Sequence, residues 1–127
     1  MQKMLRYVLL VSISAMLTAC QAKDEQYYRL NPKKLQAALN NCSSTNESTH
    51  CQQLRKIGFE VNQLAYKLQS QPQAFGQKII ALQVESVKLH ERYSEKKNDE
   101  IKKEIEQNQA LLEQHLAIVK WLESPES

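Results

Sequence analysis

From Leu35 to Leu122 the apolar residues recur at three- and four-residue spacing, a period that belongs to amphipathic helices. Leu35, Ala38, Leu39 and Cys42 make one such face. Cys51, Leu54, Gly58, Val61, Ala65 and Leu68 make a second, broadened by Ile57 and Leu64. Phe75, Ile79, Leu82, Leu89 and Tyr93 make a third. Ile101, Ile105, Leu112, Leu116, Val119 and Leu122 make a fourth, close to a heptad. Only two glycines occur, Gly58 and Gly76, which disfavours sheets with tight turns and excludes glycine-rich phosphate loops.

The boundaries between these faces carry their own chemistry. Asn31 is a good N-cap residue and Pro32 suits a first helical position, with Leu30 and Leu35 spaced for a hydrophobic staple. The run "NNCSSTNEST" is dense in turn residues and ends that helix, and Ser48 or Thr49 can cap the next. Pro72 fits a first helical turn better than an interior. From Ser94 to Glu100 the apolar residues vanish. We read a turn there, capped by Asn98 or Asp99, because folding back buries both flanking faces; a single long helix through 94–100 is the alternative.

The first twenty residues are of another kind. Lys3 and Arg6 precede a mostly apolar stretch, Tyr7–Leu17, broken by Ser12 and Ser14. A spanning helix needs roughly 20 apolar residues, so this run fits a secretory leader instead. It ends in Leu17-Thr18-Ala19-Cys20, which resembles the lipobox of bacterial lipoproteins. The resemblance implies cleavage before Cys20, a lipidated thiol and acylation (palmitate class) of the new amino group. Two or more chains anchor a protein stably where one does so only marginally. Gln21, not Asp, follows the cysteine, which by the same resemblance implies the outer membrane, facing the periplasm. Residues 1–19 are therefore expected to be a cleaved signal peptide, 20–30 a lipidated polar tether, 31–124 a helical domain and 125–127 a disordered tail.

That assignment simplifies charge and cysteine chemistry. Removing Lys3 and Arg6 with the leader lowers the formal charge from +3 to +1, leaving no basic field for nucleic acid. With Cys20 used for lipid, Cys42 and Cys51 have one intramolecular pairing in an oxidising compartment. Such a disulfide staples two helices into a hairpin. A metal site at Cys42, Cys51 and His50 is disfavoured, since the Cys-x₈-Cys spacing is not a zinc spacing and no fourth ligand is near.

No enzyme is legible. His90-Glu91 is followed by Arg-Tyr-Ser, so HExxH is absent. His50 and His115 read as surface or half-buried residues. Glu95, Asp99, Glu100 and Glu104 alternate with Lys96, Lys97, Lys102 and Lys103, a solvated helix face rather than a carboxylate pair. No cofactor is expected.

The stretch "YYRLNPKKLQAALNNC…C", Tyr27 to Cys51, resembles the small entry-exclusion lipoproteins of the EexN type. These share a lipobox, an aromatic tether, an "NP…L…L…C" helix and a second cysteine. Residues 72–127 extend past the short members of that family. A shorter likeness, "PQAFGQKIIALQ", resembles gammaproteobacterial lipoproteins of which some carry a secreted-endonuclease label, but no nuclease motif in a strand context is visible here. The expectation is an all-α protein: a helical hairpin or bundle of three to four helices with one disulfide. Membrane-anchored through Cys20, it acts as a non-catalytic component of an envelope assembly associated with conjugation or secretion. Ile101, Ile105, Leu112, Leu116 and Val119 are the candidate face for a protein partner or self-association. A small-ligand carrier and a nuclease are the lesser alternatives.

Overall fold

The structure is a computed structural model that describes residues 24–42, 45 and 48–124. Lipidation at Cys20, the signal peptide and the tail 125–127 fall outside the described residues. The fold is all-α. The described part of α1 runs 24–30 and is followed by α2 (Pro32–Asn40), α3 (Thr49–Ser70), α4 (Pro72–Glu95) and α5 (Asp99–Glu123).

Each boundary has a local cause. Ser48 caps α3, its Oγ accepting the Cys51 N–H at 3.2 Å. Gln71 alone separates α3 from α4: its N–H closes the last turn on Lys67 O, and its own carbonyl accepts the Phe75 N–H. Pro72 enforces that break, because a residue before proline is pushed out of helical geometry. The chain turns within the 94–100 segment, at residues 96–98: α4 stops at Glu95, and the Asn98 side chain accepts the Glu100 N–H at 2.8 Å to start α5. Asp99 and Glu100 then occupy the first turn of α5, where a helix dipole favours negative charge.

Two boundary expectations are corrected. The polar tether expected over 20–30 gives way, from residue 24, to helix. Tyr28 packs against the core, and Arg29 makes an ion pair with Glu60 of α3. Asn31 does not cap α2 with its side chain; its Nδ2 donates at 2.8 Å to Tyr27 O, occupying a carbonyl that the end of α1 would leave open.

The expected disulfide is present. Cys42 and Cys51 are joined with a Cα–Cα distance of 5.8 Å, within the usual span of about 4.4–6.8 Å. It ties the end of α2 to the first turn of α3. The central core gathers Leu35 from α2, Leu54, Ile57, Val61 and Ala65 from α3, Phe75 from α4 and Ile118 from α5. Gly58 lets α2 come close, since a Cβ there would lie 3.0 Å from Leu39 Cδ1.

Beyond the core, α4 and α5 continue as an antiparallel two-helix arm. Phe75 stacks on His115 at 5.0 Å between ring centroids, and Asn108 Nδ2 donates to Leu82 O at 2.9 Å. Leu89 and Ile101 continue the register, stepping seven residues up one helix for every seven down the other. All six are buried. This is a coiled-coil seam with two polar layers.

Candidate interaction surface

The five α5 residues expected as a candidate interaction face do not form one open surface. Ile101 is buried in the seam of the arm, and Ile105 and Leu112 are half-buried. Val119 is packed against the central core, and only Leu116 is exposed, at 44%. The reason is a change of partner along α5. Its first half faces α4 alone, whereas its second half also meets the core residues of α2 and α3, centred on the fully buried Ile118. A stripe drawn straight from Ile101 therefore runs off the core at Leu116.

The seam instead includes residues that an apolar pattern passes over. These are Asn108 and His115, both buried; Gln114 of α5 is buried as well. His115 is neither a surface nor a half-buried residue, as its sequence context implied; its Nδ1–H donates to Leu111 O at 2.8 Å while the ring packs on Phe75. The seven-residue spacing of Ile101, Asn108, His115 and Leu122 was the available signal. His90 and His50 are exposed; His90 Nδ1–H donates to Ser86 O at 2.7 Å, and His50 lies 6.5 Å from the Tyr28 ring.

The apolar surface left open lies elsewhere. On α4, Ile80, Val84 and Val87 are 59%, 49% and 60% exposed. Their spacing places them side by side on one helix face. Val84 is two residues past the buried Leu82, roughly 200° around the helix, so this stripe faces away from the seam. Exposed Gln77, Gln83, Lys88 and Glu91 frame it. On α3, Phe59 and Tyr66 are likewise exposed, seven residues apart on the side opposite Val61 and Leu54.

Among the described residues no cluster of three or more His, Cys, Asp or Glu side chains is placed to hold a metal ion. Among them, too, no helix is long and apolar enough to cross a membrane. No protein-family model, curated protein or solved structure matches the chain.

Proposed function

We propose that the protein is a lipoprotein of the bacterial envelope, held at the outer membrane through Cys20, whose helical domain docks on a protein partner through the outer face of α4. The exposed stripe Ile80–Val84–Val87 carries this reading. Water is a poor neighbour for three adjacent branched side chains, each of which is worth roughly 1.5–3 kcal/mol when fully buried. A contiguous apolar patch with a polar frame is the pattern of an interaction site. Its place on a stiff two-helix arm supports the same reading, because a partner then meets a preformed surface with little ordering cost.

The test is site-directed photocrosslinking in cells of the source type. A photoreactive phenylalanine at Val84 should give a discrete crosslinked species that Ile80→Lys abolishes, while the same group at Lys56, on α3, gives none. Equal or absent crosslinking at the two positions overturns the proposal. The likeness of Tyr27–Cys51 to entry-exclusion lipoproteins supports a more specific version, in which the partner belongs to an incoming conjugation apparatus. In that version, deleting the gene raises the rate at which the cell receives a plasmid it already carries.

A further inference from the structure

A second surface, distinct from the α4 stripe, lies where the α1–α2 junction meets the C-terminal half of α5. A groove of about 600 Å³ opens there, within the ~300–1,000 Å³ range of small-ligand sites. Leu30 and Pro32 form one wall, and Leu116, Ala117 and Trp121 form the other. This is where the exposed Leu116 points, so its exposure is the side of a cleft rather than an isolated surface leucine.

The charge around this apolar cleft is one-sided. Among the residues that line it, Lys33 and Lys34 come from the first turn of α2 and Lys120 from α5, with Glu113 the one acidic residue. The first turn of α2 breaks a rule that α5 obeys: it holds lysines and no acidic residue, where the dipole disfavours positive charge. An anion seated between α2 and α5 would reverse that penalty. Departures from local consistency of this kind concentrate at functional sites.

We propose that this groove binds a single-chain amphiphile with an anionic head. The head sits between Lys34 and Lys120, and the chain lies on Leu116, Leu30 and the Trp121 ring. The lining is mostly apolar with a few converging charges, the pattern of a small-ligand cleft rather than a flat protein interface. This inference does not depend on the docking role assigned to α4.

Trp121, the chain's single tryptophan, lines the groove and reports its occupancy directly. The full-length chain is titrated with dodecanoate below its micelle-forming concentration, with dodecanol as the uncharged counterpart and inorganic phosphate as the chainless one. Dodecanoate should shift Trp121 emission to the blue and saturate, dodecanol should bind more weakly, and phosphate should give no shift. Lys34→Gln with Lys120→Gln should weaken dodecanoate about tenfold, the scale of two exposed charge pairs, and leave dodecanol unchanged. Both lysines are exposed, so helix content should not change. Lys34→Arg with Lys120→Arg should restore binding, separating charge from any effect on folding. An unsaturable response, equal affinity for dodecanoate and dodecanol, or indifference to the glutamine pair overturns the proposal.

Discussion

Replacing Asn108 with leucine should make this protein more stable. Asn108 is 8% exposed in the middle of the α4–α5 seam, and its amide donates to Leu82 O at 2.9 Å. That carbonyl lies inside α4, where the helix ladder already supplies a donor, so losing the amide leaves no backbone group stranded. The lost hydrogen bond costs about 0.5–1.5 kcal/mol net. Burying a leucine in its place returns about 1.5–3 kcal/mol. The two side chains are close in volume, which keeps overpacking small. The balance is a gain of about 1–2 kcal/mol, read as a rise in melting temperature of roughly 4–8 °C per kcal/mol for a domain of this size. The polar layer then has a role other than stability. The three-residue connection 96–98 already fixes the register within one chain, so a buried asparagine chiefly penalises pairing of the arm with a second copy. Asn108→Leu should accordingly raise the dimer fraction in sedimentation experiments at high protein concentration. Thermal unfolding followed by far-UV circular dichroism decides the first point. A loss of 1 kcal/mol or more would show that the hydrogen bond outweighs the burial, and the reasoning would fail.

Four other outcomes are expected, the last of them from the sequence of the first twenty residues. Gly58→Val should cost about 1–3 kcal/mol in urea unfolding, because its branched carbons must enter space held by Leu39. Removing the disulfide as Cys42→Ala with Cys51→Ala should lower stability by about 2–3 kcal/mol, the chain-entropy value for a loop of this length. Leu112→Lys should destabilise by about 1–3 kcal/mol, since a charge enters the half-buried edge of the seam, whereas Leu116→Lys should stay within about 0.5 kcal/mol; equal effects would mean that α5 is rotated from the position described. Cys20→Ser should leave an uncleaved precursor that carries no lipid, which intact-mass spectrometry checks.

Much of the fold could be read from the residues themselves. Phe75, Leu82 and Leu89 stand where their spacing put them because α4 buries the same face along its length, Phe75 in the central core and Leu82 and Leu89 against α5. Pro72 and Asn98 marked their boundaries because each has one dominant local effect, a blocked helix interior and a cap. The disulfide followed from there being two cysteines at adjoining helix ends. The face of α5 was misread for an opposite reason. Asn108 and His115 occupy core layers through hydrogen bonds to backbone carbonyls, so a search for apolar residues stepped around them to Leu116. Residues 24–30 looked like a tether because their composition is polar; their order comes from contacts far away in sequence, with Tyr28 on the core and Arg29 on Glu60. The α4 stripe was visible as Ile80, Val84 and Val87, but a helix apolar on two opposite sides reveals only in three dimensions which side is covered.

The Cys42–Cys51 bond also changes how the chain carries tension. Pull on the N-terminal end of this protein and the force travels through α1 and α2 to Cys42, then crosses one covalent bond into the first turn of α3. The segment between the two cysteines is bypassed. A protease can cut it without parting the domain from whatever holds its N-terminal end, because both pieces stay joined through sulfur. A cut anywhere between Cys42 and Cys51 therefore leaves the domain moored, and reduction of that single bond after such a cut is what would let it go.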